Sequence, residues 1–182
     1  MKAIFLDRDG VINKYPGDTK YVTSWKEFRF LPNVKKAIAL LTGKKYPIFV
    51  ISNQAGVSKS IYSQDTLNDI TNRMLKALEK SGAKINAVYY CTHRDEDHCP
   101  CRKPKAGLIK LAVKNKKIDL KNSFFIGDTI RDIHTAKAAG CKSILVFSGA
   151  EKPSHRDDWQ AYPDFTFKDL YTAAKFITAT AL

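Results

Sequence analysis

Long apolar runs are what this sequence most plainly lacks. No stretch approaches the ~18 residues of a membrane-spanning helix, and no leader-like segment stands ahead of the first strand-like run. The chain is therefore expected to be cytoplasmic, with no membrane partner. Acidic residues are scarce beside basic ones: 18 Asp and Glu stand against 31 Lys and Arg, a formal net charge of +13. That excess fits an anionic partner, whether a phosphorylated metabolite, a nucleic acid or a membrane surface. However, the lysines come in small groups such as Lys35-Lys36, Lys44-Lys45 and Lys114 to Lys117. There is no long basic tract and no basic segment interleaved with aromatics for stacking bases, so nucleic acid is not the expected partner. Internal repeats and low-complexity segments are also missing. Cysteine is sparse, four in 182 residues, which excludes a disulfide scaffold. Three of the four crowd into Cys91 to Cys101, and in a cytosolic protein such crowding points to metal before disulfides.

What is present is ordinary for a soluble globular chain: 44% hydrophobic and 27% charged residues over a length that suits one domain, 1–182. Ala3 to Leu6 is an unbroken apolar run, as in a strand buried on both faces. Residues 14–30 read as a long loop ending in Trp25, Phe28 and Phe30. Pro32-Asn33 opens a helix through Leu41 that Gly43 stops. Tyr46 to Ile51 is a second buried strand, and Ser63 caps a helix to about Lys80 with Leu67, Ile70, Met74, Leu75 and Leu78 on its apolar face. Further strands are expected at Ile85–Tyr90, Ser123–Ile126 and Ser143–Phe147, with a short edge strand at Phe165–Phe167. Helices are expected over Ala106–Val113, up to Ala139 before Gly140, and at the C-terminus, whereas 149–163 reads as irregular. Strands alternating with helices at these lengths predict an α/β fold whose parallel sheet is covered on both faces.

In such sheets ligands bind beyond the carboxyl ends of the strands, and here those ends carry chemistry. The first strand runs into Asp7-Arg8-Asp9-Gly10. Two adjacent carboxylates in a desolvated place repel, so a bound Mg²⁺ or a retained proton is expected between them. The second strand ends at Ser52-Asn53-Gln54-Ala55-Gly56 and the fourth at Gly127-Asp128, while Arg102-Lys103-Pro104 opens a helix after the cysteine loop. Acids, a hydroxyl and a lysine at one rim make a phosphoryl-transfer site, because an aspartate can attack phosphorus while cations and donors hold its equatorial oxygens. In loop 91–101, Cys91, His93, Cys99 and Cys101 supply the ligand set of a closed tetrahedral Zn²⁺ site that would shape the loop and place Arg102 and Lys103. His98 is a possible substitute ligand. His134 and His155 read as surface or satisfied histidines, and Cys141 as a buried thiol.

The order Asp7-x-Asp9, Ser52, Lys103, Asp128 resembles the haloacid dehalogenase (HAD) phosphatase superfamily, over nearly the whole chain to about residue 150. The resemblance implies a HAD-like, Rossmann-type three-layer fold with a mostly parallel central sheet. It also implies Asp7 as nucleophile, Asp9 as general acid and then base, and Ser52 and Lys103 as groups that stabilise the transferring phosphoryl. The Mg²⁺ site would be the carboxylates of Asp7 and Asp128 with the main-chain carbonyl of Asp9, supported by Asp132. The acid–base role asks for Asp9 to be buried beside another carboxylate. Ser52 follows Asp9 by 43 positions, too few for a separate cap domain, so loops must close the site.

The zinc loop with Cys-Arg-Lys-Pro resembles the subfamily that holds the D-glycero-D-manno-heptose 1,7-bisphosphate 7-phosphatases and the histidinol-phosphate phosphatases. Asp-Arg-Asp-Gly-Val-Ile-Asn and Ser-Asn-Gln-Ala-Gly are most similar to the heptose branch. By position, Asn53, Gln54, Arg102 and the loop from Asp18 to Tyr21 would contact the substrate, a small sugar bisphosphate. Val57-Ser58-Lys59-Ser60 and Thr129 depart from the branch's usual Ile-Ala-Arg-Gly and Lys. Histidinol-phosphate phosphatase is the near alternative, a polynucleotide 3′-phosphatase a distant one, and a non-catalytic phosphosugar-binding module the alternative outside enzymes. A monomer is expected.

Overall fold

The computed structural model describes residues 1–180. Six short strands, β1 (Ile4–Leu6), β2 (Ile48–Asn53), β3 (Ala87–Cys91), β4 (Phe124–Gly127), β5 (Lys142–Val146) and β6 (Phe165–Phe167), pair in the order β3-β2-β1-β4-β5-β6. Every pairing is parallel. Five helices connect or follow them: α1 (Val34–Gly43), α2 (Gln64–Glu79), α3 (Gly107–Val113), α4 (Ile130–Ala139) and α5 (Leu170–Ala179).

The period-2 alternation of strands divides the core in two. Phe5 pairs in register with Phe49 and Phe125, and this aromatic row packs against Leu108, Ile109 and Ala112 of α3 and Ala136 of α4. On the opposite face Ile4, Leu6, Ile48, Val50, Ile126 and Ile144 pack against α1, α2 and α5. Sheet and two helical layers are the expected three-layer fold. Each fully buried Phe or Ile contributes roughly 1.5–3 kcal/mol of transfer free energy, so the sheet centre is the firm platform from which the strand ends project.

The apolar periodicity located the elements, and differences arise at their ends. Ser63 caps α2 as expected, its hydroxyl accepting from the Thr66 N–H. Asn33, by contrast, makes no side-chain cap; it turns through the left-handed region at φ 59°, and α1 begins at Val34. β3 starts later than the sequence suggests and runs through Cys91, which pairs in register with Asn53 of β2. A short helical turn, Pro153–Asp158, interrupts the irregular 149–163 segment.

Residues 14–30 hold no helix or strand. The segment is pinned by an aromatic cluster, with Trp25 and Phe30 each packing on the buried Phe28 at 5.1 Å between ring centroids. It lies beyond the β1 end in place of a cap domain. Among the described residues no helix is long and apolar enough to cross a membrane.

Candidate active site and metal-binding loop

β1 and β4 are neighbours at the sheet centre, where connections leave toward opposite flanks. Their ends deliver Asp7 and Asp128 side by side. Gly10 takes φ +79° in the turn after Asp9, and a Cβ there would lie 2.0 Å from Asp128 Oδ2. Glycine is thus required both for the turn and for the close approach of the two segments. Asp7 accepts from the Arg8 N–H through Oδ1 at 2.7 Å, and its Oδ2 is 2.7 Å from Lys103 Nζ. Lys103 is also 2.6 Å from Asp132 Oδ1, so a buried ammonium lies between two carboxylates. Asp132 comes from the first turn of α4, where it forms a capping box with Thr129 and accepts from the Thr129 hydroxyl at 2.7 Å. Asp128 accepts from the Ala150 N–H at 2.8 Å.

Electrostatics follow from this crowding. Burial raises the Asp7 carboxyl, Lys103 partly offsets this and Asp132 adds to it, giving a pKa of about 6. Burial, then Asp132 and Asp7, also push Asp128 well above the ordinary carboxylate range. Burial alone would lower the Lys103 ammonium, but Asp132 and Asp7 outweigh it and raise its pKa.

The burial beside a second carboxylate expected for Asp9 belongs instead to Asp7 and Asp128. Asp9 has a side chain 20% exposed and is ringed by donors. Arg8, fully buried, forks onto it with Nη2 at 3.0 Å from both oxygens; Asn13 Nδ2 donates at 2.8 Å and Gln54 Nε2 at 2.9 Å. Sequence reasoning missed Arg8 and Asn13. The available signal was the cation between two acids at a buried strand end, where a charge has to be paired.

A cavity of about 480 Å³ opens over these groups. Asp7, Ser52, Lys103 and Asp128 form its floor, Tyr15 to Tyr21 one wall, Asn53 and Arg102 another, and Thr129, Arg131 and Glu151 a third. A larger hollow of about 620 Å³ adjoins it at Ile130, Arg131 and Glu151 but holds none of the floor acids, so chemistry belongs to the smaller one.

Of the expected substrate contacts, Asp18, Tyr21, Asn53 and Arg102 line the cavity, whereas Gln54 is buried behind Asp9 and does not. Asp18 also accepts a hydrogen bond from Tyr15. Arg102 is not free: it forms a fork with Asp95 at 2.6 and 3.0 Å and donates to the His93 carbonyl at 3.1 Å. Lys59 stands outside the cavity, its ammonium 5.9 Å from the Tyr21 ring centroid.

The donors suit a hard divalent cation. Ligand atoms of Asp7, Asp128 and Asp132 lie within 4.8 Å of one another. Asp7 and Asp128 line the cavity whereas Asp132 does not, so the first two are the acids placed to meet Mg²⁺. Hard carboxylate oxygens supplied by few residues match the way that ion is held.

The cysteine loop passes a sharper test. Cys91, Cys99 and Cys101 have Sγ–Sγ separations of 3.3 to 3.6 Å, and His93 Nδ1 lies 3.3 Å from Cys101 Sγ and 3.6 Å from Cys91 Sγ. These are too long for a disulfide at ~2.05 Å and close to the ~3.8 Å edges of a tetrahedron with Zn–S bonds of ~2.3 Å. At Cys99 the opposing effect of burial is outweighed by hydrogen bonds from the Cys101 thiol and the Arg102 and Cys101 N–H groups, which lower the thiol to about 6. His98 stays outside this cluster. His155 pairs with Glu151 at 3.2 Å, and Cys141 is buried, as expected.

Comparison with known proteins adds independent findings. A HAD-hydrolase-like family model matches residues 100–173. The chain is 32% identical, over 97% of its length and 95% of the other protein, to a D-glycero-beta-D-manno-heptose-1,7-bisphosphate 7-phosphatase of Neisseria meningitidis. It is 34% identical to a D-glycero-alpha-D-manno-heptose-1,7-bisphosphate 7-phosphatase of Campylobacter jejuni, over 83% of this chain and 85% of that protein. Among solved structures, the D,D-heptose 1,7-bisphosphate phosphatase of B. bronchiseptica, complexed with magnesium and phosphate, superposes with a TM-score of 0.92 at 32% identity, each chain covered in full.

Proposed function

The chain belongs to the haloacid dehalogenase-like phosphatases, and from that premise we propose that it removes the 7-phosphate of D-glycero-D-manno-heptose 1,7-bisphosphate through an aspartyl phosphate. The observation that carries the reading is the buried Lys103 held between Asp7 and Asp132, at the floor of a cavity shared with Ser52 and Asp128. A lysine so placed can turn from the Asp7 carboxylate to an arriving phosphoryl group while Asp132 keeps its ammonium aimed and charged. The substrate assignment is supported by end-to-end similarity to the heptose bisphosphate phosphatases.

Asp7 attacks phosphorus, and Asp9 gives its proton to the sugar oxygen as the ester P–O bond breaks. Asp9 then takes a proton from water as the water oxygen binds phosphorus and the Asp7–phosphorus bond breaks. Ser52 donates to a phosphoryl oxygen, and Lys103 offsets the charge that spreads over the equatorial oxygens. Mg²⁺, held by Asp7, Asp128 and the Asp9 main-chain carbonyl, would neutralise the phosphoryl group and lower the repulsion against an anionic nucleophile. Zn²⁺ in the Cys91, His93, Cys99, Cys101 cluster would be structural, since four protein ligands leave no open position.

Away from the floor, Lys20 and Arg131 line the walls with Asp18 and Glu151, and Arg102 is already paired with Asp95. The choice of a heptose bisphosphate over histidinol phosphate is therefore supported by similarity to the heptose bisphosphate phosphatases. Side-by-side kinetics test it, using both heptose anomers because the relatives divide between them. We expect kcat/KM at least ~100-fold higher on a heptose bisphosphate than on histidinol phosphate, equivalent to ~2.7 kcal/mol. Equal or better turnover of histidinol phosphate overturns the substrate.

A further inference from the structure

Gln54 offers the cavity nothing, being 1% exposed, yet its carboxamide touches three groups around the reaction. Nε2 donates to Asp9 Oδ2 at 2.9 Å and to Ser52 Oγ at 3.3 Å, while Oε1 accepts from the Tyr62 hydroxyl at 2.6 Å. A primary amide can turn over. Reversed, it would put a carbonyl oxygen against Asp9, repelling the carboxylate and, in the protonated acid, drawing the proton away from the leaving group. The Tyr62 hydroxyl opposes that reversal by donating to Oε1. Burial raises the phenol above its ordinary pKa, so it remains a donor at working pH.

Tyr62 is itself placed by close contacts. A Cβ on Gly56 would lie 2.2 Å from the Tyr62 ring, so the ring reaches Gln54 only because residue 56 has no side chain. Its outer edge meets Tyr21, on the cavity wall, at 6.0 Å between centroids. One line of contacts thus runs from the wall to Asp9. Arg8 and Asn13 hold the other side of the carboxylate.

We propose that Tyr62, acting through Gln54, is a positioning residue for Asp9, and that proton transfer to the leaving group depends on it more than phosphate binding does. The proposal rests on the acid–base reading of Asp9. In the step concerned, the bond from Asp7 to phosphorus forms, the bond from phosphorus to the ester oxygen breaks, and the Asp9 proton passes to that oxygen. A misaimed acid slows this step most when the leaving group is a poor one, and least when the departing oxygen is stable without a proton.

The test is kcat/KM, which covers steps through the first phosphoryl transfer, for 4-nitrophenyl phosphate and for an alkyl phosphate. Wild type is compared with Tyr62→Phe, Gln54→Leu and Asp9→Asn, with inhibition by inorganic phosphate measured in parallel. Tyr62→Phe keeps the ring and removes only the hydroxyl. We expect it to lose ~10-fold on the alkyl ester and under ~2-fold on the nitrophenyl ester, against the ~10²–10⁴-fold of a deleted acid. The phosphate inhibition constant should stay within ~2-fold of wild type, and Gln54→Leu should show the same selective loss, larger in size. If Asp9→Asn discriminates between the esters while Tyr62→Phe and Gln54→Leu lose nothing, or lose equally on both, the positioning role is wrong and the Asp9 reading stands. If Asp9→Asn itself shows no discrimination, the acid–base reading fails and this proposal with it.

Discussion

Asn53 and Lys103 exchange two hydrogen bonds: the Lys103 N–H donates to Asn53 Oδ1 at 3.0 Å, and Asn53 Nδ2 donates to the Lys103 carbonyl at 3.2 Å. The side chain at the end of β2 thereby imitates a strand partner for the main chain that carries Lys103, the proposed phosphoryl-binding lysine. Asn53→Ala should remove both bonds, worth about 0.5–1.5 kcal/mol each. We expect affinity for inorganic phosphate and kcat/KM on an aryl phosphate to fall about 10-fold. Asn53→Asp should be worse than Ala, because a carboxylate oxygen would then face the Lys103 carbonyl. Wild-type kinetics in Asn53→Ala would show that the clamp is dispensable.

Metal analysis should find about one Zn²⁺ per chain. Stripping it with a chelator is expected to lower thermal stability and phosphatase activity together, since the same loop leads into Arg102 and Lys103. Purified protein without zinc, with free thiols at 91, 99 and 101, would refute the site.

Replacing the proposed nucleophile separates chemistry from folding. Asp7→Asn should abolish turnover and leave the melting temperature near or above that of the wild type, because a buried carboxylate whose pKa is raised to about 6 destabilises the fold near neutrality. Asp9→Asn should be slower by ~10²–10⁴-fold. Wild-type activity in Asp7→Asn would end the covalent mechanism.

The raised Asp7 also sets a pH dependence for Mg²⁺. A carboxyl titrating near 6 in the metal-free protein must give up its proton before it can ligate. Because Asp128 is raised as well, affinity should fall as pH drops through this range and rise above it until both acids are ionised, with proton release on binding. Calorimetry at pH 5.5 in two buffers of different ionisation enthalpy measures the released protons directly; none released at that pH would contradict the assignment.

The cysteines should differ in reactivity once zinc is removed. Burial pushes the Cys141 and Cys91 thiols up to about 12, so at pH 8 only ~10⁻⁴ of either is thiolate, the reactive form. At Cys99, by contrast, burial is outweighed by hydrogen bonds that bring the thiol down to about 6. Cys99 should therefore alkylate first, and Cys91 and Cys141 last. Four equally fast thiols would be the contrary result.

The sheet was legible because strands buried on both faces are written as unbroken apolar runs, as in Ala3 to Leu6 and Ile48 to Ile51. The grouping of the strand-end acids, and of Cys91, His93, Cys99 and Cys101, was legible for a related reason: few residue types carry such chemistry, and the spacing is local. What could not be read was how charges choose partners across the fold. Lys103 meets Asp132 29 positions away, Gln54 meets Asp9 45 positions away, and Asn53 meets Lys103 50 positions away. Nothing local in Arg102-Lys103 says that the first is tied to Asp95. The Asp9 environment was misjudged because spacing places two acids near each other but not which way their carboxylates turn.

Cys91 is both the last residue of β3 and a candidate zinc ligand, paired in register with Asn53. The cysteine loop is thus riveted to the sheet at its first ligand candidate rather than hung beside it. The facing wall, with Asp18, Thr19 and Lys20 exposed, is held by side chains instead, Tyr21 on Tyr62 and Tyr15 on Asp18. A substitution among residues 15–21 should therefore disturb the floor of the cavity less than one in the cysteine loop, whose first ligand candidate is part of the sheet.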